Sequence, residues 1–337
     1  MSEPLGTTLG RFIRRQERRH VQARGELSGL LEAIGFAGRQ IAAAVRKAGL
    51  NDIIGHAGSV NVQGETVQKL DLLANEILIQ SLDHVGHCCI LASEEMDDGL
   101  PVDEQPGDYA VAFDPLDGSG NIDTNMPMGT IYSIYRRTSE PGAPGQEFDF
   151  LRPGREQVAA GYILYGSSSM LVHATEDGVA GFTLDPEIGA WLLSHPDIKI
   201  PERGKQYLVN TGNRAYWHPH LREHVAALES VDPERGRPLG QRYVGALIAD
   251  VHRILLKGGV FMYPADTKDP KKPNGKLRLL YECAPMAMIV ERAGGAATDG
   301  RGPILDLDIK ELHQRTPLFI GSRLDVEEAT AAASQDG

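Results

Sequence analysis

Apolar positions along the chain fall into two spacings, and these divide it into helices and strands. Leu27, Leu30, Leu31, Ile34, Ile41 and Val45 recur at helical intervals and predict a helix over 27–48, stopped by Gly49. Residues 49–64 carry Gly49, Gly55, Gly58 and Gly64 with little periodicity, and are expected to form a mobile loop. Leu70, Leu73, Ile77 and Leu78 predict a second helix over 66–82. Short apolar runs then follow at 88–92, 109–113, 128–135, 159–165 and 170–173, each bounded by Gly, Pro, Asp or Ser, as strands are.

Around Pro201 the texture changes. Strand-like runs at 207–210, 259–263 and 318–322 alternate with helical patterns at 221–228, 243–257 and 279–293, and the tail from Glu327 is expected to fray. Helices and strands interleave in both parts. The fold class is therefore mixed α/β, a layered sandwich of mixed sheets and helices with two domains, 1–200 and 201–337.

Composition narrows the function. The chain has 337 residues, 34 basic against 46 acidic, for a net charge of −12. That balance argues against non-specific binding to nucleic acid or to a membrane surface. An acidic protein acting on an anion must neutralise it locally, with metal ions or with a few placed Lys and Arg. The three cysteines, Cys88, Cys89 and Cys283, do not form a disulfide pattern and read as buried small hydrophobes in a reducing compartment. The charged N-terminus lacks the apolar core of a signal peptide, and no apolar run is long enough to span a membrane, so a cytoplasmic protein is expected.

Two predicted strands end in carboxylates. Residues 88–92 run into Ser93-Glu94-Glu95, and 109–113 run into Asp114-Pro115-Leu116-Asp117-Gly118-Ser119-Gly120. Ligands in α/β proteins gather outside the carboxyl ends of strands. Clustered carboxylates repel, and hard divalent cations relieve them. Gly118 and Gly120 are expected to let backbone N–H groups converge on a phosphate. Carboxylates for metal beside a Gly/Ser turn for phosphate suggest metal-assisted phosphoester hydrolysis. Read alone, the second motif is equally a turn between strands, and Glu94-Glu95 a solvated loop.

FDPLDGSGNID, with SEE upstream and GKLRLLYECAPMA downstream, resembles the class I fructose-1,6-bisphosphatases. GSVNVQGETVQKLD, AAGYILYGSSSMLV, RYVGALIADVHRILLKGG and LHQRTPLFIGS lie in that family's order, so the resemblance runs from about residue 10 to 325. It implies a sugar-phosphatase fold and Mg²⁺-dependent hydrolysis of a sugar bisphosphate, with two or more ions per subunit and Mn²⁺ as an alternative. It places metal ligands at Glu94, Asp114, the Leu116 carbonyl, Asp117 and Glu282. Glu95 and Asp71 match the pair that orients and deprotonates the attacking water, and Glu65 matches the acidic residue of the mobile loop, 49–71. Asp117, Gly118, Ser119 and Gly120 match the phosphate turn, Arg278 the 1-phosphate side and Lys276 a sugar and phosphate contact. Asn210, Tyr243 and Tyr263 match the 6-phosphate pocket, and Arg242 matches a residue supplied by a neighbouring subunit. A homotetramer follows from that match.

Departures from the family pattern carry expectations too. Gly120 stands where the family usually has Ser, and Asn213 where some members have Tyr. Gly25-Glu26-Leu27-Ser28, Tyr109 and Arg136 match a regulatory AMP site, yet Asp108 replaces the Lys that faces its phosphate, so AMP inhibition is expected to be weak. Residues 137–158 contain no Cys, so no thiol switch is expected there. Fructose 1,6-bisphosphate is the expected substrate. Sedoheptulose 1,7-bisphosphate is the alternative, an inositol or nucleotide phosphate a remoter one, and a catalytically dead metal-binding protein a third reading, against which the filled metal positions speak.

Overall fold

The computed structural model describes residues 3–18, 25–48, 50, 56–60, 66–270 and 273–334, with backbone alone at 56–60 and 66–68. Its strands in chain order are β1 (His56–Val60), β2 (Thr66–Gln68), β3 (Cys88–Ser93), β4 (Leu100–Pro101), β5 (Tyr109–Asp117), β6 (Met128–Arg136), β7 (Gln157–Tyr165) and β8 (Ser169–Thr175). They continue as β9 (Gly178–Asp185), β10 (Ala190–His195), β11 (Gln206–Leu208), β12 (Gly240–Gln241), β13 (Val260–Tyr263), β14 (Ala296–Thr298) and β15 (Leu318–Gly321). The helices are α1 (Leu9–Glu17), α2 (Glu26–Val45), α3 (Lys69–Asp83), α4 (Pro219–Glu229), α5 (Leu247–Lys257), α6 (Ala284–Arg292) and α7 (Arg323–Ala333).

Two mixed sheets carry the fold. The larger has eight strands in the order β10-β9-β8-β7-β6-β5-β3-β4, antiparallel throughout except for the parallel pair β3–β5. The smaller has five, ordered β12-β11-β13-β15-β14. Successive side chains on a strand point to opposite faces, and here both faces are covered. On β5, Val111 and Phe113 join Leu30, Ile34 and Leu78 in a cluster under α1–α3. Ala110 and Ala112 face the other way, into a core shared with Ile248 and Val251 of α5, Ile289 of α6, and Ile320 of β15. A third cluster, with Val225 and Val326, covers the outer face of the smaller sheet with α4 and α7. The layers therefore run helix, sheet, helix, sheet, helix. Two-sided burial explains why the strands read as continuous apolar runs rather than alternating ones.

The mixed α/β layering is as expected, with local corrections. Inside 49–64, residues 56–60 form a strand paired with β2, which takes Thr66–Gln68 away from the predicted helix. The helix predicted from 243 begins at Leu247, because Gly245 has φ +88° and Asp250 accepts the N–H groups of Val244 (2.9 Å) and Gly245 (3.1 Å). Before α6, residues Leu279–Cys283 form a π-helical turn, since Pro285 brings no N–H to the ladder. The tail is helical to Ala333, because Val326 and Ala329 bury against the third cluster. The periodicity did not reveal α1, β9 or β10. Helix α1 mixes arginines among Leu9, Phe12 and Ile13, and only these three bury. The cysteines are free and buried as expected, and no helix among the described residues is long and apolar enough to cross a membrane.

Candidate active site

The parallel pair β3–β5 ends with Ser93 opposite Phe113, and the Glu94 N–H continues the pairing to the Phe113 carbonyl at 3.1 Å. Glu94 and Asp114 thus stand side by side where β3 ends and β5 runs on. The Glu95 N–H reaches Ser93 Oγ (3.2 Å), which donates to Asn75 Oδ1 on α3 at 2.6 Å. That helix also carries Asp71, buried in its first turn.

Asp114-Pro115-Leu116-Asp117 is strand, which corrects the reading of this segment as a turn. The register with β6 shifts between Asp114 and Asp117, a bulge at which proline costs no ladder bond. Thr130 Oγ1 donates to the Pro115 carbonyl (2.9 Å), and the Leu116 N–H donates to Asp114 Oδ1 (2.9 Å). The turn starts at Gly118, whose φ of +79° disfavours any side chain; a Cβ there would lie 2.5 Å from that of Ala246. Gly120 is under no such constraint. Its φ is not left-handed and a Cβ would meet open space, so the backbone does not require glycine there. Ser119 and Gly120 open the short helical turn that runs to Thr124.

The C-terminal half supplies the rest. In the π-helical turn, Glu282 Oε2 accepts the N–H of Arg278 at 2.6 Å. Carboxylate oxygens of Asp114, Asp117 and Glu282 lie within 4.8 Å of one another, all buried. Asp117 Oδ2 also accepts the Ile248 N–H at 2.7 Å, where the start of α5 favours negative charge. The Arg278 guanidinium ion-pairs with Glu94 and lies 3.9 Å from Glu282.

Burial raises the pKa of Asp114 well above the usual carboxylate range, with Glu94, Asp117 and Glu282 adding repulsion against the pull of Arg278. Burial likewise pushes Asp117 to about 7, although its bond from Ile248 opposes this, and Glu282 to about 8, against the attraction of Arg278. A buried all-oxygen cluster in mutual repulsion fits a hard divalent cation, and Asp114, Asp117 and Glu282 would hold it.

Of the residues expected around the substrate, Tyr243 and Tyr263 lie near the cluster. Burial raises Tyr243, with Asp250 and Asp117 adding to it, and burial raises Tyr263 to about 12, with Tyr243 and Glu282 adding to it. Gly275 packs its backbone on the Tyr263 ring, just before exposed Lys276. Asn210 Oδ1 caps the turn at Thr211–Tyr216 through the Gly212 N–H (3.1 Å). Arg242 is exposed and, among the described residues, its side chain bonds only to its neighbour's carbonyl, Gln241 O. Glu65 lies outside the described residues. Sequence reasoning missed Asp250, which is fully buried and holds the segment after Tyr243. A lone carboxylate inside the apolar stretch Leu247–Val251 was the available signal.

A separate cleft of about 1150 Å³ lies among α1, α2 and the ends of β5, β6 and β8. Glu17, Gly25, Glu26, Leu27, Ser28, Asp108, Tyr109 and Arg136 line it, so the residues matched to a regulatory site are together. Arg136 lies 5.4 Å over the Tyr109 ring.

Comparison with known proteins agrees along the whole chain. Residues 7–196 match the family described as fructose-1-6-bisphosphatase, N-terminal domain, and residues 200–334 match its C-terminal domain. The fructose-1,6-bisphosphatase class 1 of Maridesulfovibrio salexigens is 54% identical over 311 residues, 90% of this chain and 91% of that protein. That of Cytophaga hutchinsonii is 50% identical over 327 residues, 96% of this chain and 93% of that protein. Among solved structures, Leishmania major fructose-1,6-bisphosphatase in holo form superposes with a TM-score of 0.90 at 38% identity, covering 98% of this chain and 100% of that one. The same enzyme in its T-state gives a TM-score of 0.85 at 38% identity. With both halves matched in order and relatives at half identity over nearly full length, this chain belongs to the class 1 fructose-1,6-bisphosphatase family.

Proposed function

We propose that this chain hydrolyses the 1-phosphate of fructose 1,6-bisphosphate, releasing fructose 6-phosphate and phosphate, in a reaction that depends on divalent metal. The observation that carries the reading is the buried cluster of Asp114, Asp117 and Glu282 against the Gly118 turn, in a chain 54% identical to a class 1 enzyme. Mg²⁺ is the cation we assign, two or more per subunit, with Mn²⁺ able to replace it; bound there, it supplies the positive charge that phosphoryl transfer requires.

The chain's own groups do the rest. Glu94 and the Leu116 carbonyl complete the metal donors. Glu95, held by Ser93, takes the proton of the attacking water, with Asp71 alongside to orient it. Glu65 is assigned to the same task on resemblance alone. N–H groups of Gly118, Ser119 and Gly120 receive the 1-phosphate, with Asp117 beneath them and Arg278 adding charge. Asn210, Tyr243, Tyr263 and Lys276 hold the sugar and its 6-phosphate. Arg242, exposed in this chain, completes that pocket from a neighbouring subunit, which makes the working form an oligomer, a homotetramer in our reading. We place the enzyme in the cytoplasm, with domains at 1–200 and 201–337.

Phosphate release measured as kcat/KM on fructose 1,6-bisphosphate and on sedoheptulose 1,7-bisphosphate tests the assignment. The fructose ester should win. A tenfold preference for the sedoheptulose ester would overturn it.

A further inference from the structure

We infer that His313 is a positioning residue for this reaction, holding the Glu94-Glu95 turn in place through the Met96 carbonyl. The inference rests on the phosphatase reading above. His313 Nε2 lies 2.8 Å from the Met96 carbonyl oxygen, joining the C-terminal half to the N-terminal one. A carbonyl only accepts, so Nε2 carries the proton and Nδ1 does not in the neutral ring.

Met96 is the pivot of the acidic turn. Its N–H closes the turn on the Ser93 carbonyl at 3.1 Å, and Glu95 hangs between them with its own N–H on Ser93 Oγ at 3.2 Å. The turn is thus fastened at its start by Ser93 and at its end by His313. Loss of the second fastening loosens the end of the turn, and with it the backbone that carries Glu95.

The residues flanking His313 fasten the opposite wall. The Leu279 N–H donates to the Gln314 carbonyl (2.7 Å), Arg278 pairs with Arg315 as an isolated bridge, and the Thr316 N–H donates to the Leu277 carbonyl (3.1 Å). This fixes the start of the turn that carries Arg278 and Glu282. The Tyr281 ring, next to Glu282, lies tilted against the imidazole at 5.4 Å between centroids. One short strap therefore grips both carboxylate-bearing turns, with His313 its only side-chain hydrogen bond to Met96 among the described residues. It sets the spacing between Glu94-Glu95 on one side and Arg278-Glu282 on the other. Misplacement of about 1 Å at a catalytic group costs on the order of 100-fold in rate.

The test compares wild type, His313→Ala and His313→Gln in the full chain. Glutamine places its amide N–H close to the position of Nε2 and can still donate to Met96. The wild-type rate on fructose 1,6-bisphosphate is measured first, so failure of the parent reading shows there and not in the variants. We expect His313→Ala to lower kcat by about 10- to 100-fold. KM should stay within about twofold, since the hydrogen bond lost runs to Met96 and not to Asn210, Tyr243 or Tyr263, and the Mg²⁺ concentration for half-activation should rise because Glu94 shares the turn. His313→Gln should recover most of kcat. Should His313→Ala fail to fold by circular dichroism, His313→Asn, too short to reach Met96, takes its place. A folded Ala or Asn variant with wild-type kcat overturns the inference. So does a His313→Gln enzyme as slow as that variant, or a loss carried by KM instead of kcat.

Discussion

Gly118→Ala isolates the junction on which the site is built. Its φ of +79° places any side chain in the left-handed region, at a cost of about 1–2 kcal/mol. The added Cβ would stand 2.5 Å from Ala246 Cβ and 3.5 Å from its Cα, so relief requires backbone movement. Overpacking of this kind costs about 1–3 kcal/mol. The sum, about 2–5 kcal/mol, is within the ~5–15 kcal/mol of an ordinary folded protein, so the variant should fold. At about 2.1 cal/mol/K of unfolding entropy per residue, a chain of this length loses roughly 1–2 °C of Tm per kcal/mol, giving a drop of about 3–7 °C. Activity should fall further than stability suggests. The movement separates Asp117 from the Ile248 N–H, and Asp117 is a metal ligand in our reading. Scanning calorimetry and phosphate release on Gly118→Ala, Ala246→Gly and the double variant check this. The double variant should regain the overlap portion and keep the φ portion. A Gly118→Ala enzyme with wild-type Tm and kcat refutes the reasoning.

Further outcomes follow from other parts of the molecule. Saturating Mg²⁺ at about 100 times its Kd should stabilise the wild type by about 2.7 kcal/mol, and Glu282→Gln should lose most of that shift in a melting assay. AMP should inhibit only weakly, with a constant above about 1 mM. Asp108 puts a like charge in the cleft, worth up to about 4 kcal/mol against a phosphate at about 4 Å before screening, and Asp108→Lys should tighten inhibition. Asp149 accepts from the N–H groups of Thr138 (2.6 Å), Ser139 (2.8 Å) and Gln146 (2.9 Å), so Asp149→Ala should cost about 3–5 kcal/mol in urea unfolding. Burial alone would raise that carboxyl, but the bonds from Gln146, Ser139 and Thr138 prevail and hold it below its usual value. Its stabilisation is therefore complete above about pH 4 and lost as pH falls toward the lower folded value, a slope the alanine variant should lack.

The apolar runs revealed most strands because two-sided burial leaves a strong signal, as at Cys88–Ser93, buried at every position. They did not reveal α1, whose arginines hide three buried residues, nor the trimming of α5 by Asp250. At the site, Glu94 and Asp114 were legible because each follows a buried run. That they stand side by side was not, since parallel pairing of β3 with β5 is a tertiary fact. That Gly118 is held to glycine and Gly120 is not was equally hidden, since only the observed φ separates the two. His313 was visible only as part of a matching block, because a bond to a carbonyl 217 residues away has no local signature.

The charge balance of the chain ties these observations together. An acidic protein acting on a polyanion needs local positive charge, and the sequence left open where it comes from. Among the described residues, the buried arginines and lysines are Arg137 and Arg278. Arg137 is engaged away from the site, with the carbonyls of Gly107, Glu140 and Ala143. Arg278 alone is left to face Glu94, Asp114 and Glu282, with Asp117 beside them. Each pair of like charges at 4.8 Å costs about 3–4 kcal/mol at an effective dielectric of about 20, and one guanidinium offsets only part of that. Folding brings these carboxylates together from both halves of the chain across one continuous core, so they cannot relax apart without breaking it. The remaining deficit is met by protons, as the raised Asp114, Asp117 and Glu282 show, or by cations from solution. A hard divalent ion carries two charges and contacts several carboxylate oxygens at once, where a proton neutralises a single carboxylate, so in our reading the acidity of the site and its metal dependence are one property.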